Sequence, residues 1–140
     1  PARGKYHMMK TVLVLLVVAA IALLVLFRVM PTDPDRWHRM PEDVSDRDLE
    51  GGAMRRVEGD LATLDAIIRD TDRTQVLAGS VDEGMITYVS RSRVFGFPDY
   101  TTVRQDGEML EIYGRLRFGK SDMGVNAARI DGWLQQLQAG

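Results

Sequence analysis

The sequence predicts an α+β protein: an N-terminal transmembrane helix followed by a small two-layer domain, a four-stranded antiparallel meander with two helices on one face. Three observations predict this fold. A charge-free apolar run near the N-terminus is long enough to cross a bilayer, short turn signals join successive β-rich runs, and helical periodicity flanks those runs on both sides. The length left outside the membrane, about 90 residues, suffices for one modest core.

The predicted transmembrane helix covers residues 11–30. Residues 11–27 carry no charge, and about twenty helical residues match a hydrocarbon core of about 30 Å. Arg28 is expected at the membrane interface, where its long side chain reaches the headgroups. A cleaved signal peptide is the alternative. We expect a retained anchor, because the run exceeds the usual apolar region of about 7 to 15 residues and its small residues lie mid-segment.

The charges flanking this helix predict its orientation. Residues 1–10 form a basic leader without acids, whereas Asp33 and Asp35 follow the span closely. Because cytoplasmic flanks are enriched in Lys and Arg, we expect a cytoplasmic N-terminus. In a bacterial inner (cytoplasmic) membrane, the C-terminal domain would then be periplasmic.

The composition of the outer part excludes several functions. Residues 31–140 carry 14 basic and 20 acidic side chains, a net charge of −6, which argues against nucleic acid as a partner, since that binding needs a concentrated basic footprint. The absence of cysteine excludes disulfides and thiolate metal sites. We therefore expect no cofactor.

Residues 31–52 have the composition of an acidic, proline-rich linker. Three prolines, seven acids and a terminal glycine pair favour an extended, unpacked segment. Trp37 has two equally favoured interpretations, a membrane-interface anchor or a side chain folded back onto the domain. His38 has no second histidine on its side of the membrane and is expected to be solvated or hydrogen-bonded rather than to bind metal.

The α+β domain is predicted over residues 53–140. Asp60 is a good N-cap for a helix that ends near Arg69. Four strands follow, and Asp106-Gly107 between the last two is a strong hairpin signal. The strands are expected at residues 75–78, 85–95, 100–105 and 109–118. A last helix is expected to begin with Ser121 and Asp122 as its cap and to carry an apolar stripe that starts at Met123.

Two groups of residues are candidate binding sites. Strand alternation places basic and aromatic side chains together on one sheet face, and this face consists of Arg91, Arg93, Arg104, Tyr113, Arg115 and Arg117. It would suit an acidic partner, an anionic lipid or a carboxylate, although a solvated polar sheet face is the favoured explanation. The second group lies at the start of the last helix and consists of Lys120, Ser121, Asp122 and Asn126. An anion could bind there, but helix capping alone accounts for the same residue types.

Two sequence segments carry a family resemblance. Residues 118–130 read FGKSDMGVNAARI and residues 87–103 read TYVSRSRVFGFPDYTTV. Together they resemble the domain of unknown function 1499 family, whose Gly, Ser-Asp, Gly, Asn and Arg-Ile pattern matches Gly119, Ser121, Asp122, Gly124, Asn126, Arg129 and Ile130. Phe97 and Asp99 match its upstream aromatic and acidic positions. The chain departs from the pattern at Leu116, where the family commonly has Ser. The resemblance implies no catalytic residues, and members often carry export or membrane segments.

These observations favour a non-catalytic protein. The sequence holds no G-x-S-x-G, P-loop, dinucleotide or H-E-x-x-H motif. We expect an accessory or stabilising subunit of a larger membrane complex, in contact with the lipid bilayer and with integral membrane partners. The alternative is a periplasmic binding domain for a small anion or lipid headgroup, and an unrecognised hydrolase is the least favoured.

Overall fold

Helix α1 extends from Ala2 to Val29 and is long and apolar enough to cross a membrane. It comes from a computed structural model that describes residues 2–140, so Pro1 of the basic leader lies outside it. The rest of the leader forms the first turns of α1 rather than a separate segment. None of the side chains of α1 is buried, which suits a helix whose apolar surface faces lipid.

The domain is built on a six-stranded antiparallel sheet with the strand order β1-β2-β6-β5-β4-β3. The strands are β1 (Arg47–Leu49), β2 (Gly52–Glu58), β3 (Thr74–Ser80), β4 (Met85–Arg91), β5 (Pro98–Asp106) and β6 (Met109–Leu116). The antiparallel meander over β3 to β6 is confirmed, but the predicted count of four strands is wrong. β1 and β2 form a hairpin across the Glu50-Gly51 turn, but β1 is only three residues long, and the composition of residues 31–52 favoured a linker that ends at the Gly51-Gly52 pair.

Helices α3 (Leu61–Arg69) and α4 (Val125–Ala139) pack on one face of the sheet. The Asp60 carboxylate accepts from the Thr63 N–H at 3.1 Å, as its N-cap pattern predicts. The core between these helices and the sheet is apolar and includes Leu64, Ile68, Ile86, Tyr88, Val103, Leu110, Ile112, Ile130 and Trp133. Residues 2–140 contain four helices. Three of them, α1, α3 and α4, correspond to predicted helices, and the fourth is the short α2 (Pro34–Trp37), which was not predicted.

Helix α4 begins at Val125, two residues after Met123, where the predicted apolar stripe starts. Met123 and Gly124 adopt left-handed backbone angles, with φ of 54° and 80°, and this interrupts the helix before Val125. The Met123 side chain is 93 % exposed instead of lying on the apolar stripe. Asp122 still serves the helix start, since its carboxylate accepts from the Gly124 and Asn126 N–H groups.

Residues 31–52, called the connector below, first cross the sheet face opposite α3 and α4 and then form the edge strand β1 and lead into β2. The Trp37 ring stacks on Tyr100 with centroids 4.2 Å apart, and Val44 is buried. His38 Nδ1 is 2.8 Å from the Thr87 hydroxyl. The connector therefore differs from the unpacked linker that its composition favours. Its apolar anchors are too few and too irregularly spaced to produce a periodic signal.

The last turn of α1 is joined directly to the domain. The Phe27 ring makes edge contacts with Phe97 and Phe118, at centroid distances of 4.8 and 5.1 Å. Arg28 donates to the Val94 carbonyl at 2.8 Å, and Arg91 donates to the Phe27 carbonyl at 3.1 Å. Cationic donors stabilise the free carbonyls at a helix C-terminus. These contacts hold residues 92–97, called the junction loop below, beside the end of α1.

Candidate functional site

The predicted arginine face is largely occupied by contacts within the protein. Arg104, Tyr113 and Arg115 do share the sheet face opposite the helices. However, Arg104 forms a salt bridge with Glu111 at 2.7 Å, and Arg115 is only 9 % exposed beneath the connector. The Arg104 charge is thus paired and the Arg115 guanidinium is covered, so neither side chain is freely available to a partner in solution.

Arg115 is the central support of the connector. Its guanidinium donates to the Trp37 carbonyl and, at 2.8 Å, to the Thr102 hydroxyl. Burial lowers the pKa of Arg115 to about 10. Its partners are carbonyl and hydroxyl oxygens, together with the faces of the Trp37 and Tyr113 rings, whose centroids are 5.6 and 4.6 Å away. Arg115 thus fixes Trp37 on the domain. A shallow cleft of about 340 Å³ lies beside it.

Arg117 secures the start of the connector. It follows the end of β6, and its guanidinium donates to the Tyr100 hydroxyl at 3.1 Å and to the Thr32 hydroxyl at 3.3 Å. It also donates to the Pro31 carbonyl at 3.2 Å. Arg117 therefore orients the chain where it leaves α1 and does not present a free cation to solvent.

Arg91 and Arg93 belong to a different site, at the end of the domain that meets α1. With Arg28 and Arg73 they line a pocket of about 160 Å³, called the arginine pocket below. The uncharged residues Gln75, Val89, Ser92 and Gly96 complete its lining. Within residues 2–140, no carboxylate forms a salt bridge with any of the four arginines. The lining of the pocket thus carries four cations and no carboxylate in a protein that is acidic overall. Arg73 and Arg91 also line an adjoining cleft of about 280 Å³ that contains Asp99 and Asp122.

The four arginines differ in how firmly they are held. Arg91 donates to the Phe27 and Gly96 carbonyls, and Arg28 donates to the Val94 carbonyl. Arg73 makes a single bond to the Arg91 carbonyl at 3.3 Å, and the Arg93 side chain is exposed. Neutral carbonyl partners orient these groups without cancelling their charge. Arg91 is half-buried, whereas Arg28, Arg73 and Arg93 are exposed, and Arg28 and Arg91 are the two that carbonyl groups of other segments hold in place.

The second predicted group, at the start of α4, forms a closed network. The Asp122 carboxylate accepts from the backbone and side-chain nitrogens of Asn126, each at 2.9 Å. The side-chain oxygen Oδ1 of Asn126 accepts from the Arg129 guanidinium at 2.9 Å. Arg129 also pairs with Asp99 at 3.2 Å. The Ser121 hydroxyl accepts from the Met123 N–H, and Lys120 is exposed outside the network. Asp122 already supplies the negative charge at this helix start, so the geometry favours capping over anion binding.

The pKa values of two carboxyl groups in this network are shifted in opposite directions. Burial raises the pKa of Asp99, and the Arg129 charge offsets only part of that effect. Burial also opposes ionisation of Asp122, but hydrogen bonds from Asn126 and Gly124 outweigh it and lower the pKa of that carboxyl. By linkage, Asp122 contributes stability that is lost as the pH falls through its folded pKa. Asp99 instead disfavours the fold as the pH rises above its unfolded pKa.

Sequence reasoning missed Arg28 and Arg73 as partners of Arg91 and Arg93. Arg73 precedes β3 in a turn whose position is set by strand pairing, and no residue spacing links it to α1. One local signal was available. The junction loop, SRVFGF, carries aromatic side chains where an exposed turn would normally be polar, and such a loop next to a membrane helix indicates interfacial placement.

A comparison with protein-family models identifies the chain's relatives. The model described as a protein of unknown function (DUF1499) matches residues 28–137. The match includes Arg28, the connector, the whole sheet and nearly all of α4. No curated protein and no solved structure matches the chain. The matched segment covers well over half of the chain, and the protein therefore belongs to the DUF1499 family.

Proposed function

We propose that this chain is a non-catalytic, single-pass protein of a bacterial inner membrane, whose periplasmic domain binds an anionic group presented at the membrane surface. α1 crosses the bilayer with its basic N-terminus in the cytoplasm. The arginine pocket carries the proposal, because it gathers four cations without a carboxylate partner where the domain meets α1.

The position of the pocket relative to α1 supports a site at the headgroup level. Phe27 ends the charge-free run, and Arg28, the next residue, lines the pocket. Arginine at the end of a span places its guanidinium among the headgroups. The pocket would then open where lipid phosphates and other surface anions are concentrated.

The chemistry of the pocket suits a small oxyanion. Guanidinium groups bind phosphate and carboxylate through two parallel N–H bonds, and charge-assisted bonds of this kind are about twice as strong as neutral ones. A volume of about 160 Å³ is well below the about 300–1,000 Å³ typical of pockets for drug-sized ligands. We infer that a phosphate group fits this pocket better than a larger organic anion.

The non-catalytic part of the proposal is supported by where the perturbed groups lie. Burial, together with a 2.6 Å hydrogen bond to Asp65, raises the pKa of Tyr88, and both groups belong to the packed interior. Asp99 and Asp122 stabilise the start of α4. Asp99 and Asp122 also line a cleft of about 280 Å³, but burial and contacts with Asn126 and Arg129 account for their pKa shifts, which favours a structural role for both carboxyl groups.

Titration with a soluble phosphate ester tests the proposal. Thermal unfolding of the full chain is measured in a neutral detergent. One sample contains glycerol 3-phosphate, and the other contains sodium chloride at the same ionic strength. At ten times its dissociation constant, the ester is expected to stabilise the fold by about 1.4 kcal/mol. Arg93→Gln, at the exposed rim, should reduce this gain.

Arg47→Gln is the matched control, because Arg47 is exposed on β1 at the opposite edge of the sheet. It should keep the full stabilisation. Equal stabilisation of the wild-type chain by the ester and by chloride would contradict anion binding at the arginine pocket. So would equal stabilisation by the ester of the wild-type chain, Arg93→Gln and Arg47→Gln.

An accessory subunit of a larger membrane complex is the second candidate. It is favoured by α1, which contacts the domain only near its end and exposes apolar side chains along its length. Such a surface can pack against the spans of an integral membrane partner. Purification in mild detergent tests this function. A stoichiometric complex would support it, whereas a chain that purifies alone from its native membrane would contradict it.

A further inference from the structure

We infer that the ligand of the arginine pocket is a whole anionic phospholipid, whose phosphate binds the arginines and one of whose acyl chains lies in an apolar groove on the other side of the junction loop. This inference rests on the proposed function and specifies its ligand. The observation behind it is that one helix end and one loop supply both halves of an amphipathic site.

The apolar groove lies between α1 and the junction loop and has a volume of about 200 Å³. Every residue that lines it is apolar, and these residues are Ala20, Leu23, Leu24, Phe27, Phe95 and Phe97. The α1 residues belong to the final turns of the charge-free run. With α1 in a bilayer, the groove therefore lies in the hydrocarbon region, where an acyl chain is its natural occupant.

The groove and the arginine pocket are direct neighbours along the chain. In α1, Phe27 lines the groove and Arg28 lines the pocket. In the junction loop, Phe95 and Phe97 line the groove, whereas Gly96 between them lines the pocket. The change from apolar to cationic lining occurs within one residue on both segments. A phospholipid has the complementary change, from apolar acyl chains to an anionic phosphate.

The exposed surface around the site continues this pattern. Val94, Phe95 and Phe97 are 66, 50 and 37 % exposed, and Phe118 beside Phe27 is 38 % exposed. Aromatic side chains at this level are typical of residues at a membrane interface. Charge complementarity selects an anionic lipid over a zwitterionic one, because the pocket offers cations without a carboxylate for a quaternary amine.

Native mass spectrometry of the full chain in neutral detergent tests the inference. The probes are phosphatidylglycerol, phosphatidylcholine with the same acyl chains, and glycerol 3-phosphate. The wild-type chain should retain one phosphatidylglycerol more tightly than phosphatidylcholine. Arg73→Gln with Arg93→Gln should weaken retention by about fivefold for each arginine. Phe95→Ser should weaken the binding of phosphatidylglycerol and leave the binding of glycerol 3-phosphate unchanged.

Two control variants carry the same changes away from the site. Arg47→Gln removes an exposed cation on β1, and Val81→Ser removes an exposed apolar side chain beyond the end of β3. Both should retain phosphatidylglycerol like the wild-type chain.

The outcomes separate this inference from the proposed function. If glycerol phosphate binds as tightly as phosphatidylglycerol and Phe95→Ser has no effect, the lipid inference is overturned and anion binding stands. If both lipids bind equally and the arginine variants change nothing, the groove binds acyl chains alone and both proposals are overturned. Binding of none of the three probes overturns both as well.

Discussion

Alanine in place of Gly52 should destabilise the domain by about 3 kcal/mol, the upper part of the range for overpacked sites. A Cβ atom at this position would collide with the Gly114 carbonyl oxygen, and the Arg115 Cα would be 3.0 Å away. These atoms belong to the backbone of β6, so no side-chain rotation relieves the contact. β2 and β6 would have to separate where Gly52 pairs with Arg115, the residue that holds the connector.

The neighbouring glycine provides a close control. A Cβ atom at Gly51 would have no neighbour nearer than 3.5 Å, which is ordinary van der Waals contact. Gly51→Ala should therefore leave stability nearly unchanged. Unfolding is followed by tryptophan fluorescence, since Trp133 lies in the core. Equal losses in the two variants would show that the close approach of β2 to β6 is not what requires glycine.

Asn126→Ala should cost a similar amount, about 3 kcal/mol, because it removes buried hydrogen bonds to the charged groups of Asp122 and Arg129. Asn126 is fully buried and bonds through its side chain to Asp122 and Arg129. Its loss removes one donor to the Asp122 carboxylate and the acceptor that helps to hold Arg129. The start of α4 should then become disordered before the sheet does.

Ala128→Ser is the control for this variant, because Ala128 is exposed on the same helix. Thermal unfolding measures the loss of stability, and hydrogen exchange of the first turn of α4 measures the disorder at the start of that helix. The same stability in the Asn126 and Ala128 variants would mean that the network is incidental, and would weaken the structural interpretation of the family motif.

The elements that the sequence predicts best are those marked by consecutive residues. The charge-free run predicted α1, and Asp106-Gly107 predicted the hairpin between β5 and β6, because both depend on consecutive residues. β2 was missed because its local partner β1 is only three residues long and its longer pairing, with β6, is remote in the chain. The late start of α4 was missed because left-handed backbone at Met123, a residue that rarely adopts it, has no reliable sequence signal.

The candidate site was harder to predict than the fold. Strand alternation correctly placed Arg104, Tyr113 and Arg115 on one face, but it could not show that the connector covers that face. The alternation was extended to Arg93, which lies beyond the end of β4. Strand pairing and the end of α1 bring Arg28 and Arg73 to the arginine pocket. Such convergence depends on tertiary structure, which periodicity does not encode.

The central claim is that the junction loop lies at the membrane surface beside α1. The chain has no cysteine, so a single spin label can be placed at Val94→Cys, in the loop, or at Val81→Cys, beyond the end of β3. In lipid bilayers, the label at position 94 should be more accessible to oxygen than to a water-soluble nickel chelate, and the label at position 81 should show the reverse. Equal exposure of both labels to the nickel chelate would contradict the claim.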